Sequence, residues 1–194
     1  MEEERIERKT HLDDAIVPPI EIEPIWRDNP EIVKLGDPVL RQPTRPISRF
    51  SQDIHNLLKR MVPIMKAAEG LGLAAPQVGR SLRLFIYDVG DGVNVMINPK
   101  ILSRRGEQTD PPEGCLSIPG LQGTVNRAQE IKVKAFDERG RPVTYRVSDL
   151  EARVIQHELD HLDGILFIDR ADPESLVWLL NDEEETGNLV GMKE

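Results

Sequence analysis

Two histidines four residues apart, with a glutamate directly after the first, leave a chain few folds, because both rings must share one helical face. His157-Glu158-Leu159-Asp160-His161 is such a segment. On an α-helix, residues i and i+4 lie one above the other on the same side. Local signals support a helix here. Ser148 and Glu151 match an S-x-x-E capping box that starts it at about Asp149, and Gly164 ends it. Leu150, Val154, His157 and His161 then fall at i, i+4, i+7 and i+11, in one stripe. The histidines thus continue an apolar, core-facing stripe, which predicts a site buried between helix and sheet. Unpaired imidazoles are costly there. A hydrogen-bonded pair of core histidines is the bland alternative; shared ligation of one metal ion is the reading the pattern favours. Glu158 is then placed to act on a metal-bound water rather than to bind the ion.

The only cysteine, Cys115, supplies a candidate third ligand. Three protein ligands leave a fourth position open, which separates catalytic from structural metal sites. Cys115 sits in Pro111-Pro112-Glu113-Gly114-Cys115-Leu116-Ser117-Ile118-Pro119-Gly120, a turn-rich segment suited to presenting one side chain and nearby backbone N–H groups. Burial as a small hydrophobe is the ordinary fate of a free cysteine, and a nucleophilic role is the competing functional reading. A lone cysteine forms no internal disulfide and fits a reducing cytoplasmic setting.

The segment Gly70-Leu71-Gly72-Leu73-Ala74-Ala75-Pro76-Gln77-Val78-Gly79 is not a phosphate loop. It follows a helix rather than a strand and lacks the P-loop lysine and the G-x-G-x-x-G spacing. Its small residues allow close backbone packing, and the Gln77 amide can donate to a developing oxyanion.

The 194 residues suffice for one domain with a sizeable core. A formal net charge of -9 argues against a broad nucleic-acid footprint. No apolar run approaches the roughly 20 residues of a membrane helix, and the acidic N-terminus reads as neither secretory signal nor transit peptide. Residues 1–30 read as an N-terminal extension, extended or partly disordered; 31–181 as the catalytic domain; 182–194 as an acidic tail. Within the domain, a helix is expected from Gln52 to Glu69, capped by Ser51, kinked by Pro63 and stopped at Gly70. Leu82–Val89 and Val93–Ile97 form one expected hairpin, and Ile131–Phe136 begins a second that ends near Val147. Ile165–Ile168 reads as a short strand, and a last helix runs from Asp172-Pro173 to Leu180.

Three motifs in this order, Gly70 to Gln77, Glu113 to Ser117 and Gln156 to His161, resemble those of peptide deformylases. The resemblance spans about residues 30 to 180. It implies an α+β fold with antiparallel β-sheets packed around a central metal-binding α-helix. It also implies removal of the formyl group from N-formylmethionine at the start of newly made polypeptides. By the same resemblance, Cys115, His157 and His161 are the metal ligands and Glu158 the general acid/base. Gln77 and the Leu116 backbone N–H are the oxyanion donors, and Gly72 lies beside the bound peptide. Glu113 and Arg127 match an ion pair that braces the site.

Gln122 stands where relatives commonly carry an arginine that helps bind the substrate backbone. The ligand chemistry alone suits zinc; the resemblance favours Fe(2+), with Zn(2+), Ni(2+) or Co(2+) as substitutes. The expected partner is the formylmethionyl peptide, with no nucleic acid and no membrane; monomer and dimer stay open. Some bacterial relatives have a longer basic C-terminal helix that can dock on ribosomes; Asp182-Glu183-Glu184-Glu185 would repel RNA, so that partner is not carried over and ribosome proximity is not supported by the acidic tail. Two rival readings are weaker. A zinc endopeptidase usually takes a third His or Glu ligand downstream, and only Asp169 and Asp172 are near. A silent binding module would have lost Glu158 or Gln77.

Overall fold

The computed structural model describes residues 29–179, so the expectations for the chain before Asn29 and after Leu179 lie outside the described residues. Two antiparallel sheets and two α-helices make up the body. Strands β1 (Gly72–Ala74), β2 (Leu84–Tyr87), β3 (Asn94–Arg105), β6 (Glu130–Phe136) and β7 (Pro142–Ser148) form a five-stranded sheet in the order β1-β2-β3-β6-β7. Strands β4 (Glu113–Cys115), β5 (Ile118–Gly123) and β8 (Val177–Trp178) form a three-stranded sheet in the order β4-β5-β8. Helix α1 spans Gln52–Ala67 and helix α2 spans Asp149–Leu162. This is the expected α+β class with antiparallel sheets. Among the described residues, no helix is long and apolar enough to cross a membrane.

The five-stranded sheet is covered on both faces at β2. All four residues of β2 are buried, as a strand sandwiched between layers requires. Leu84 and Ile86 point to one side, where α1 packs Leu57, Met61 and Met65 against them. Phe85 and Tyr87 point to the other, against Ala152, Ile155, Leu159 and Leu162 of α2. The alternation follows from the two-residue period of a strand. Strand β6 alternates as its sequence indicates: Ile131, Val133 and Ala135 are buried, while Lys132 and Lys134 are exposed.

Several local expectations are corrected. Ser51 and Ser148 make no side-chain cap bond; the Ser148 hydroxyl instead donates to Asp149 at 2.7 Å, so the capping box does not form although α2 still begins at Asp149. Helix α1 ends at Ala67, and Glu69, not Gly70, takes the left-handed conformation that stops it (φ 54°). The partner of β2 runs to Arg105, well past Ile97. Ile165–Ile168 is not a strand; Phe167–Asp169 forms a 3-10 turn, with the Leu166 N–H donating to Asp169 Oδ2 at 2.7 Å. The expected last helix is a 3-10 turn at Pro173–Ser175 followed by β8. Its start signal is real, since Asp172 accepts from the Glu174 N–H, but pairing of Leu121 and Gln122 with Trp178 and Val177 draws the chain into the small sheet.

Candidate active site

Helix α2 presents two buried faces. Ala152, Ile155, Leu159 and Leu162 pack on the large sheet. His157 and His161 turn instead toward Glu113 and Cys115 of β4 in the small sheet, Val154 packs in the core shared with the large sheet, and Leu150, first of the stripe, is exposed and lines a pocket. His161 is buried as the pattern predicts and His157 is partly buried, both toward the three-stranded sheet.

Cys115 ends β4, and its Sγ lies 3.3 Å from His161 Nε2. One ligand atom from each of Cys115, His157 and His161 falls within 4.8 Å of the others. A soft thiolate and two imidazoles converging at this spacing fit a single borderline-soft divalent ion. The electrostatics agree. Burial alone would raise the Cys115 thiol, but the adjacent His161 and hydrogen bonding from His157 hold it well below its ordinary value. A thiolate is the form that binds metal.

Glu113 sits one residue from Gly114 and two from Cys115, and orients His157 by accepting from its Nδ1 at 2.9 Å. This carboxylate–histidine contact fixes the ring and leaves the other nitrogen to face the cysteine. Glu113 is itself gripped twice. Arg127 donates to both of its oxygens at 2.8 Å, and Arg153 donates to Oε1 at 2.9 Å. Burial raises the Glu113 pKa, but the bonds from Arg127 and His157 outweigh it and hold the carboxyl far below the usual range. Arg127 continues to Asp160, which also receives Arg170 at 2.7 and 2.9 Å. An ionic chain, Arg170–Asp160–Arg127–Glu113–His157, thus runs behind the ligand set. The Glu113–Arg127 pair is found as expected. Arg153 and Asp160 are the residues sequence reasoning missed. Their signal was position: Arg153 lies four residues before His157 on the same helical face, and an arginine on a buried face needs partners.

Glu158 is 3 % exposed, and its Oε2 has no hydrogen-bond partner among the described residues. Burial pushes its pKa up to about 7, against the opposing pull of His157 and His161. Its carboxyl packs against Gly72 of β1, where any Cβ would overlap it. Gln77 is 1 % exposed. Its Oε1 accepts from the Ala74 N–H at 2.8 Å, which aims the amide nitrogen at Ser117 Oγ (3.3 Å) and Cys115 Sγ (3.6 Å). Gly72, Gln77, Leu116, Gln122, His157 and Glu158 all line one pocket of about 280 Å³, with Leu179 at its edge. Every predicted site residue except the more deeply buried His161 lines this pocket, and His161 touches it through Cys115.

A converging cysteine–histidine set beside a buried carboxyl defines the class: a metallohydrolase on an antiparallel α+β scaffold. The family profile described as polypeptide deformylase matches residues 30–176. The chain is similar to the peptide deformylase of Acidothermus cellulolyticus, 52% identical over 161 residues that cover 81% of this chain and 89% of that protein. It is also similar to the peptide deformylase of Pelotomaculum thermopropionicum, 50% identical over 141 residues covering 73% and 90%. Among solved structures, the peptide deformylase of Thermotoga maritima aligns with a TM-score of 0.71 at 43% identity, covering 73% of this chain and 97% of that one. This chain belongs to the polypeptide deformylase family, metal-dependent hydrolases that remove the N-formyl group from new polypeptides.

Proposed function

We propose that Cys115, His157 and His161 hold one divalent ion, Fe(2+) in the cell, and that residues 31–181 form the catalytic domain, working in the cytoplasm on formylmethionyl peptides. The observation that carries the reading is the convergence of three ligand atoms within 4.8 Å, beside the pocket that Glu158 and Gln77 line. An ion held there supplies Lewis acidity to the formyl carbonyl and to the attacking water.

The remaining work falls to side chains and backbone. Glu158, poised near neutrality by burial, takes a proton as water adds to the formyl carbon. It returns that proton to the amine as the C–N bond breaks and formate leaves. The Gln77 amide and the Leu116 N–H donate to the oxygen on which negative charge develops. Gly72 offers its strand backbone to the peptide. Gln122, opposite Gly114 in the small sheet, lines the peptide path with a neutral hydrogen-bonding group.

The test is formate release from formyl-Met-Ala-Ser by protein purified anaerobically with ferrous iron, beside Cys115→Ala and Glu158→Ala. Release by the wild type is expected, with loss of bound iron in Cys115→Ala. Glu158→Ala should keep its metal and lose nearly all turnover; wild-type turnover by that variant would remove Glu158 as the base.

A further inference from the structure

Helix α2 has a third, polar side. Gln156, Asp160 and Asp163 follow at i, i+4 and i+7, so they share one face, and with Leu159 at its border they line a cleft of about 460 Å³. The pocket described above uses Leu150, Val154, His157 and Glu158 on a different face of the same helix. The ionic chain through Arg127 and Asp160 separates the two spaces.

Charge in the cleft is lopsided. Arg83, Lys100, Arg104, Arg127 and Arg170 line it, against only Asp160 and Asp163. Arg83 pairs with Asp163 at 2.7 Å, and Arg170 with Asp160. Arg127 divides its charge between Asp160 and Glu113. Lys100 and Arg104 take part in no ion pair or side-chain hydrogen bond among the described residues. A chain of formal net charge -9 therefore gathers five cations around one cleft, two of them without an acidic partner among the described residues.

We propose that this cleft binds a phosphate-bearing anion. Lys100 and Arg104 supply the unmatched charge, and the guanidinium groups of Arg83 and Arg170 flank the site. Several convergent cations, including forked guanidinium donors, match the multiple oxygens of phosphate better than a single carboxylate. The size suits a small polar ligand. Two sources carry this chemistry: free inorganic phosphate and the phosphodiester backbone of RNA. The inference does not rest on the hydrolytic reading.

The test is calorimetric titration of the full-length, metal-loaded protein at low ionic strength. One arm uses inorganic phosphate, the other a short single-stranded RNA of mixed sequence. Each is repeated with Lys100→Glu/Arg104→Glu and with the milder Lys100→Gln/Arg104→Gln, which keeps the proposal testable should charge reversal disturb folding. Saturable binding is expected in at least one arm, weakened tenfold or more by charge reversal and less by neutralisation, with formate release unchanged. A response to phosphate identifies a free-anion site; a response to RNA alone identifies a backbone phosphate. No binding in either arm, or undiminished binding by both double variants, overturns the proposal.

Discussion

Gly72 and Glu158 are packed so closely that a β-carbon on Gly72 would stand 2.7 Å from the Glu158 carboxyl carbon. Real Cβ atoms do not approach so near, and β1 holds Gly72 in register opposite Tyr87. The glycine is therefore a requirement of the carboxylate. Gly72→Ala should displace Glu158 while leaving Cys115, His157 and His161 in place. The expected outcome is a hundredfold or greater fall in kcat, in the range for loss of a positioned acid/base, with metal content unchanged. Steady-state kinetics beside metal analysis checks it.

Glu113 ties the ligand set to two arginines, and its substitution has a calculable pH signature. Its folded-state pKa lies below the ordinary carboxylate value. Its contribution to stability is therefore fully present above that ordinary value, about 4.3, and is lost as pH falls through the lower folded one. Glu113→Gln should cost about 3–5 kcal/mol at neutral pH, because Arg127 and Arg153 are left buried against a neutral group. It should also flatten the loss of stability below pH 4. Denaturant unfolding of both proteins from pH 7 to pH 3 reads out both effects; parallel curves would be inconsistent with this role.

The helix carrying the histidines was legible in the sequence because its period and its buried rings agree, yet one of the start signals misled. Ser148 turns to Asp149 rather than capping, and Asp149 enters with φ 52°. The hairpins of the large sheet were legible for a similar reason: Ile131, Val133 and Ala135 alternate on one face. The small sheet was not. Glu113–Cys115 and Ile118–Gly123 are short and rich in glycine and proline, and local propensity marks them as turns. They become strands only because they pair with each other and with Val177–Trp178, a tertiary fact with no local period. Cys115 was singled out despite this miss because chemistry, not secondary structure, pointed to it.

Gln77 is held by the Ala74 N–H with its amide nitrogen toward Cys115. Replacing it with leucine preserves bulk and removes the donor. A loss of about 10²–10³ in kcat is expected, the usual size for one oxyanion donor, with little change in KM. A change confined to KM would instead make Gln77 a binding residue.

Gln122 places a neutral amide at the pocket wall. Gln122→Arg adds charge assistance, worth about 1 kcal/mol beyond a neutral bond. KM for formyl-Met-Ala-Ser should fall about fivefold while kcat stays constant, and added salt should weaken the gain. Initial-rate measurements at two ionic strengths decide it.

The chain of charges from Arg170 through Asp160, Arg127 and Glu113 to His157 also constrains how such a protein can change over generations. Removing any inner member leaves an odd, desolvated charge beside a ligand, so these positions are not free to drift one at a time. Asp160 lies within the same stretch of helix as the two histidines and Glu158, and so ties it to an arginine thirty-three residues upstream. Lineages that lose one inner member are expected to lose or replace its neighbours together, and paired substitutions at these sites should be strongly non-additive. A five-residue motif is in this sense inherited as part of a longer unit, scattered along the sequence and joined only in the folded molecule.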